Sequence, residues 1–186
     1  MPKVRSLKLD SLSESEGQVL LSIGNDAANS IWEEGTASQK GWKKPEGGDG
    51  RKAKEEWIKS KYLWRGFIKF NDEDGKTHEE REDKFTKDLY KSAADCDLLG
   101  IASALAHGAS VNWQNPEDEG RTALHACALN KKKEGEDWKA VECAELLIQN
   151  GAKMEAHDNA DHGVLDCAVI GGAEREMIEY LTIKIT

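Results

Sequence analysis

Residues 120–128 (GRTALHACA) and 146–152 (LLIQNGA) form the stretch of sequence that decides the fold. Two related copies flank it: residues 89–94 (LYKSAA) with 105–112 (LAHGASVN), and residues 163–168 (GVLDCA) with 178–181 (IEYL). Leu124 follows Tyr90 by 34 positions, and Leu165 follows Leu124 by 41. Self-similarity at such a period is typical of a solenoid, in which each unit buries its apolar face against the next.

The pattern resembles the ankyrin repeat. Residues 122–128 (TALHACA) correspond to its T-P-L-H-x-A-A signature, and residues 146–152 to its L-L-x-x-G-A signature. The resemblance implies an all-α solenoid over residues 87–186, with about three repeats, of which the last is incomplete. It also implies that His125 holds the turn between repeats and is not a catalytic group.

Two details of the repeats follow from the same pattern. Gly108 and Gly151 fit helix ends where a left-handed backbone is needed. The second repeat is longer than the first, and its extra residues are predicted at 131–138 (KKKEGEDW), between the two helices of that repeat. Small side chains such as Ala93, Ala126 and Ala168 would let neighbouring helices pack closely.

The first 70 residues carry local signals for two helices. Ser13 and Glu16 fit a capping box, and apolar side chains at helical spacing predict a helix that ends near Glu33. Residues 41–50 (GWKKPEGGDG) have turn chemistry, and residues 51–68 are predicted to form a second helix.

Two further segments are predicted around these helices. Alternating apolar and polar residues over 4–12 indicate a short strand or extended piece. Residues 71–86 are predicted to be a linker, because 71–83 (NDEDGKTHEERED) is almost without apolar anchors. A boundary between two domains is expected there.

Several short elements of the first half occur in the order found in the domain of Arf GTPase-activating proteins. They are residues 4–10 (VRSLKLD), 21–26 (LSIGND) with Asn29, 43–45 (KKP), 54–62 (KEEWIKSKY), and Phe67 with Ile68. The sequence is similar to the C-terminal part of such a domain followed by ankyrin repeats, as in the centaurin-β type of the family. The resemblance implies a small Arf-type GTPase as a partner, a protein ligand on the ankyrin surface, and a cytoplasmic role in membrane traffic, peripheral to endosomal or plasma membranes.

The departure from the family pattern concerns catalysis. In the family, a zinc finger with Cys-x-x-Cys pairs precedes the VRSLxLD segment, and an arginine after its last cysteine is thought to stabilise charge on the transferring phosphate. This sequence has neither before Val4, so we assign no catalytic residue, metal ligand or cofactor within it and expect no GTPase-activating activity from it alone. Arg5 is interpreted as a structural residue or, alternatively, as a partner contact.

The same departure leads to an expectation about stability. Because the first half lacks a module that it normally packs against, Leu7, Leu9 and Val19 are expected to be exposed. Residues 1–70 should then be looser than the repeats.

Composition excludes other classes of function. The 26 basic and 35 acidic residues give a formal net charge of −9, which argues against nucleic-acid binding. No apolar run approaches the roughly 20 residues of a membrane-spanning helix. The four cysteines, Cys96, Cys127, Cys143 and Cys167, form no Cys-x-x-Cys pair and are expected to be reduced and buried.

Charge is unevenly distributed, with ten basic and four acidic side chains in residues 40–69. This cationic segment could face a membrane or an acidic partner, or it could be the solvated side of a helix.

Residues 112–120 (NWQNPEDEG) are expected to form the tip between the first two repeats. Trp113 has no apolar neighbour within this loop. It either folds back onto the adjacent repeat or acts as a partner-binding anchor ringed by Glu117, Asp118 and Glu119. Such a ring would suit a partner with an apolar patch and a basic rim.

Two functions remain open. One is a non-catalytic scaffold that binds a protein on its ankyrin surface, with the helices of the first half capping the repeats. The other is a GTPase activator whose zinc-finger half is supplied by a longer product. An independent hydrolase has no support, since no G-x-S-x-G, H-E-x-x-H or P-loop pattern occurs.

Overall fold

The computed structural model describes residues 11–38, 41–71, 74–132 and 137–185. Regular structure in these ranges is helical, apart from two isolated bridging residue pairs, which confirms the all-α fold. The α-helices are α1 (Glu14–Trp32), α2 (Arg51–Ile58), α3 (His78–Ala94), α4 (Leu98–His107), α5 (Ala123–Ala128), α6 (Ala140–Gln149), α7 (Val164–Ile170) and α8 (Arg175–Ile185). A 3-10 helix (Glu34–Ser38) follows α1, and a π-helical turn (Lys59–Leu63) follows α2.

Helix α1 begins as its sequence predicts. The Ser13 hydroxyl accepts from the backbone N–H of Glu16, and the Glu16 carboxylate accepts from that of Ser13 at 2.8 Å, which completes the capping box. The helix is interrupted at Gly24, whose φ of 66° and ψ of 167° are not helical. The strand predicted over residues 4–12 lies almost entirely outside the described residues, and Ser11 and Leu12 are not in a strand.

The second predicted helix is shorter than expected. Residues 51–68 were predicted to be one helix, but regular helical structure ends at Leu63. Arg65 has a left-handed φ of 51°, and the Gly66 N–H closes the turn by donating to the Ser60 carbonyl at 2.8 Å. The chain reverses in this way because Phe67, which is fully buried, packs with its ring centroid 4.5 Å from that of Trp57.

The predicted linker is also corrected, because helix α3 begins at His78 and includes residues 78–86. Thr77 and Glu80 form a capping box, in which the Glu80 N–H donates to the Thr77 hydroxyl at 3.1 Å. The first turns are polar because they face solvent, so apolar periodicity could not reveal them. The domain boundary near residue 70 stays a prediction.

The repeat half consists of three helical hairpins in two layers. Helices α3, α5 and α7 stack as the first-helix layer, and α4, α6 and α8 stack as the second-helix layer. The core between them is made of medium-sized and small apolar side chains: Leu89, Ala93, Leu98, Ile101, Leu124, Cys127, Ala144, Leu147, Val164, Ala168, Met177 and Leu181. Gly108 and Gly151 have φ values of 101° and 94°, which confirms their left-handed role. The extra residues of the second repeat lie between α5 and α6, as predicted.

Helix α1 packs against α4 and α6, on the second-helix layer. Val19 is buried there, with 7% exposure, so the expectation that it is exposed was wrong. Leu7 and Leu9 lie outside the described residues. The neighbouring Leu20 and Leu21 are exposed. The first half therefore uses the repeats as a packing partner.

Candidate functional site

The candidate site is the tip between the first two repeats, where α4 connects to α5. Asn115 and Arg121 face each other as a bridging pair, with the Asn115 N–H donating to the Arg121 carbonyl at 2.8 Å. Gly120 closes this turn with a left-handed φ of 69°, and its N–H donates to the Asn115 carbonyl at 2.9 Å. We call residues 113–121 the first tip.

A second tip, residues 157–163, lies beside the first. His157 and Gly163 form its bridging pair. The Asn159 N–H donates to the Glu119 carbonyl at 2.8 Å, so the two tips are joined through their backbones. A Cβ on Gly120 would lie 2.3 Å from Asn159 Oδ1, so a side chain at this position would require the Asn159 amide to move.

Trp113 leans on the first-helix layer. Its ring stands edge-on to that of Tyr90 in α3, with centroids 5.9 Å apart and planes at 87°. The side chain is partly buried, so it folds back onto the adjacent repeat and also keeps part of its surface in solvent. The sequence left two alternatives for Trp113, and the structure shows the packing against the adjacent repeat. The rest of the ring stays accessible to solvent.

Two of the three carboxylates of the first tip are engaged within the tip. Asp118 accepts hydrogen bonds from the Tyr90 hydroxyl and from Arg121 Nη1, the latter at 3.1 Å. Glu119 accepts from Arg121 Nη2 at 2.6 Å. Burial and the Asp118 carboxylate raise the pKa of Tyr90, so its hydroxyl stays protonated as a donor. The acidic ring inferred from the sequence is thus partly neutralised by Arg121.

Glu117 points outward from the first tip. It is exposed, and its backbone N–H donates to Asn115 Oδ1 at 3.0 Å. Its negative charge also acts on Lys87 of α3 and helps to raise the pKa of that lysine, for which the hydrogen bond to Asp83 is the main cause. Arg5, the remaining candidate partner-binding residue, lies outside the described residues.

His125 has the structural role expected of it. It is fully buried, and its Nδ1 lies 2.8 Å from Thr122 Oγ1 at the start of α5. Burial lowers its pKa, while the nearby backbone of His162 in the second tip opposes this shift. The histidine is therefore a neutral, buried side chain that holds the first turn of α5 through Thr122.

Asp158 is a residue of the second tip that the sequence did not single out. Its Oδ1 accepts from the N–H groups of Ala160 at 2.9 Å and His162 at 3.0 Å. Cys167 donates to Oδ2 at 3.3 Å, and Arg121 Nε lies 3.9 Å from the same atom. The hydrogen bond from His162 is the main cause that lowers the pKa of Asp158 to about 2, against the effect of burial. An Asp followed by turn residues was the available signal.

The donor set of the second tip was tested as a metal site. Within the described ranges, Asp158, His162 and Cys167 form the one group of three potential ligands whose donor atoms lie within 4.8 Å of one another. The Asp158 carboxylate already accepts from two backbone N–H groups and a thiol, and the Arg121 guanidinium stands beside it. A fixed cation at that position disfavours a second one, so the group caps the turn.

The zinc of the related family does not fit the residues of this sequence either. All four cysteines lie after residue 95, within the repeats, and none belongs to a Cys-x-x-Cys pair. Cys127 and Cys143 are fully buried in the apolar core, and among the described residues no second pair of ligands faces them.

No helix in the described ranges has the length and apolar character to cross a membrane.

Comparison with known proteins gives two family matches. Residues 1–71 match the family model described as a GTPase-activating protein for Arf, and residues 119–159 match the ankyrin repeat. The chain is 26% identical to the Arf-GAP with coiled-coil, ANK repeat and PH domain-containing protein 2 of Gallus gallus, over 96% of this chain and 32% of that protein. The mouse protein of the same name is 27% identical over 91% of this chain and 30% of its own length. The human protein 3 is 40% identical over 38% of this chain and 7% of its length. The chain thus spans about a third of the curated relatives that it matches over most of its length.

Proposed function

We propose that this chain, which belongs to the Arf GTPase-activating proteins that carry ankyrin repeats, is a scaffold that binds a protein partner through the first tip. One observation carries the proposal. Helix α1 packs against α4 and α6, whereas the first tip leans on α3, in the other layer. The packing of the first half onto the repeats therefore leaves the tips accessible to a partner.

The chemistry of the tip suggests what the partner offers. Trp113 supplies an aromatic surface of the kind that dominates binding energy at interfaces. Glu117 is the exposed carboxylate beside it, while Asp118 and Glu119 hold the tip in shape through Arg121. An apolar patch with a basic group near it would complement this surface. A small Arf-type GTPase is the first partner to test, because the relatives are named for Arf.

Binding is tested by calorimetry with Arf loaded either with GDP or with a non-hydrolysable GTP analogue. Trp113→Ala should weaken binding by about 2 kcal/mol or more, which is roughly 30-fold, because it removes the aromatic anchor. The melting temperature should fall only slightly, since one edge-to-face ring contact contributes roughly 1 kcal/mol. Trp64→Ala is the matched control, because Trp64 is 64% exposed and lies in the first half.

Two results would contradict this proposal. One is a sharp loss of melting temperature in Trp113→Ala with binding intact at low temperature, which would make Trp113 a core residue. The other is an equal loss of affinity in Trp64→Ala, which would move the site to the first half. If Arf in either state does not bind while another protein does so through Trp113, the scaffold role stands and the partner changes.

We further propose that these 186 residues do not accelerate GTP hydrolysis on Arf by themselves. The sequence contains no Cys-x-x-Cys pair for the zinc finger on which the family's catalytic arginine depends. A single-turnover GTPase assay should show no increase in rate. An acceleration of about tenfold or more that a zinc chelator abolishes would refute the proposal, because an arginine finger supplies rates far above background.

The second candidate function is GTPase activation in a longer product that includes the zinc-finger half. The match of residues 1–71 to the family model favours it. It is tested by the same assay after the zinc-finger half of a relative is fused before Val4.

The proposal also includes a cytoplasmic location at the periphery of endosomal or plasma membranes, which rests on the family resemblance and is tested by membrane fractionation.

A further inference from the structure

A cavity lies where helix α1 of the first half meets α4 and α6 of the repeats, and we call it the α1 cavity. Its volume is about 340 Å³, which is within the range of small-molecule sites. Residues of α1 on both sides of Gly24, where this helix is interrupted, contribute to the lining. The cavity is thus built by both halves of the chain.

The lining combines apolar side chains with a few polar ones. Its polar members Asn25, Arg65 and Asn150 are exposed to solvent. Much of the remaining lining consists of apolar side chains that are only partly buried: Ile23, Ala28, Ile31, Ala102, Leu105 and Leu146. A mostly apolar wall with a small number of polar groups is typical of a ligand site, in which the polar groups fix the orientation of the ligand.

The charge of the cavity is positive, in a chain that is acidic overall. Arg65 is the one charged residue among the described residues of the lining. Lys61, which precedes it, pairs with Glu33 at 2.7 Å. Lys69, which follows it, pairs with Glu34 at 3.6 Å. Arg65 forms no ion pair with any residue that the structure describes, so its charge is available to an anionic ligand.

Arg65 lies against the end of α4, next to the apolar wall. Its backbone has a left-handed φ of 51°, and Gly108 caps the C-terminal end of α4. Arg65 Nη1 lies 2.6 Å from the position that a Cβ on Gly108 would take, so a side chain there would require the guanidinium to move. Leu105, three residues earlier on α4, is part of the lining. The positive charge and the apolar wall are therefore adjacent.

We propose that the α1 cavity binds a free, single-chain aliphatic carboxylate, such as a fatty acid. Its hydrocarbon chain lies against α1, α4 and α6, and its carboxylate accepts charge-assisted hydrogen bonds from Arg65. A volume of about 340 Å³ holds about eleven groups the size of a water molecule, at roughly 30 Å³ each. A methylene group is of similar size, so a chain of about ten carbons fits.

Such a ligand would contact both halves of the chain at once. The first half contributes α1 and Arg65, and the repeats contribute α4 and α6. A ligand that binds only the folded chain raises its melting temperature. The cavity faces the second-helix layer, whereas the first tip leans on α3 in the other layer. The inference is therefore independent of the partner proposed above, and either can fail alone.

The first experiment uses the full chain and decanoate, kept below the concentration at which decanoate self-associates. Calorimetry should give a Kd of about 100 µM or tighter, as expected for a ligand of about twelve non-hydrogen atoms. Decanol, which has no charge, should bind about fivefold more weakly. Acetate, which has no hydrocarbon chain, should show no binding.

Methyl NMR on the unchanged chain locates the ligand. Decanoate should shift the methyl resonances of Ile23, Ile31 and Leu105, which line the cavity. Ile170 and Ile183 lie in the last hairpin and are 68% and 75% exposed, so they control for adsorption to exposed apolar surface. Their resonances should not shift.

Three variants test the two parts of the site. Arg65→Gln should weaken the binding of decanoate about fivefold and leave the binding of decanol unchanged. Arg51→Gln is the matched control, because Arg51 is exposed and lies outside the lining. Ala102→Leu takes the space of about two methylene groups of the ligand, so it should weaken the binding of both ligands about tenfold or more.

The outcomes separate this site from other ways of binding a lipid. Absence of binding at about 1 mM decanoate, or shifts at Ile170 and Ile183 as large as those at Ile23, would overturn the site. Equal affinity for decanol and decanoate would overturn the carboxylate as the ligand class. Co-sedimentation with phosphatidylserine vesicles that is lost in Arg65→Gln would overturn the free acid as the occupant. Because the ligand series and the NMR use the unchanged chain, the test does not depend on whether a variant folds.

Discussion

Replacing Glu145 with glutamine should show how strongly the first half is held to the repeats. Glu145 lies in α6, and its carboxylate is completely buried. It accepts hydrogen bonds from Ser15 at 2.7 Å, Gln149 at 2.7 Å and Tyr180 at 2.8 Å, and it forms an ion pair with Lys184 at 2.7 Å. These donors come from α1, α6 and α8, so one carboxylate joins the first half to two repeats.

The magnitude follows from the pKa of this carboxylate. Burial alone would raise it, but the donors, led by Gln149 and Lys184, lower it from 4.5 to about 2. A shift of this size means that the ionised form stabilises the fold by about 3 kcal/mol more than the neutral form does. Glu145→Gln places a neutral amide of the same shape at this position, so the free energy of unfolding at neutral pH should fall by about 3 kcal/mol.

The pH dependence gives a second signature with a defined sign. Because the pKa of Glu145 is lowered in the folded state, its contribution is fully present above about pH 5 and is lost as the pH falls toward 2. Stability of the unchanged chain should therefore fall in this window. Glu145→Gln should show a shallower fall, since it has no carboxylate to protonate at this position.

The assay is urea unfolding followed by circular dichroism between pH 3 and pH 7, with Glu142→Gln as the control. Glu142 lies on the same helix and is partly exposed, so its change should alter stability by no more than about 0.5 kcal/mol. Our reasoning fails if Glu145→Gln costs less than about 1 kcal/mol at pH 7, or if its stability follows the same pH curve as the unchanged chain.

Two further changes test the tips. Gly120→Ala should lower the free energy of unfolding by about 1–3 kcal/mol, because it strains a left-handed residue and directs a Cβ toward Asn159. Thermal unfolding measures this change. A neutral effect would contradict the close approach of Gly120 to Asn159. Tyr90→Phe removes the hydroxyl that donates to Asp118 and keeps the ring that contacts Trp113. The free energy of unfolding, measured in urea, should fall by about 1 kcal/mol. A change in partner affinity larger than about tenfold would contradict a purely supporting role for this hydroxyl.

The sequence alone predicted the features that depend on neighbouring residues. The capping box of Ser13 and Glu16, the left-handed glycines Gly108 and Gly151, and the position of the extra residues after α5 all follow from signals within a few positions. The repeated signature around His125 predicted the helical hairpins, because each copy contains its own turn and its own small packing residues.

Local signals were insufficient where solvent or a distant residue decided the outcome. The start of α3 was missed because its capping box, Thr77 and Glu80, opens a polar turn without apolar periodicity. The helix predicted over residues 51–68 ends earlier in the structure. The chain turns back at Arg65, and this turn lets Phe67 pack on Trp57.

Only the tertiary structure decided how the charged side chains of this protein are paired. Arg121 pairs with Asp118 and Glu119 because the first tip folds back on itself, which partly neutralises a ring that the sequence presents as acidic. The hydrogen bonds of Glu145 depend on helices that are far apart in sequence. Helical periodicity extends over a few turns, whereas the pairing of charges depends on which helices stack. Which helices stack against one another is determined by the burial of the whole core.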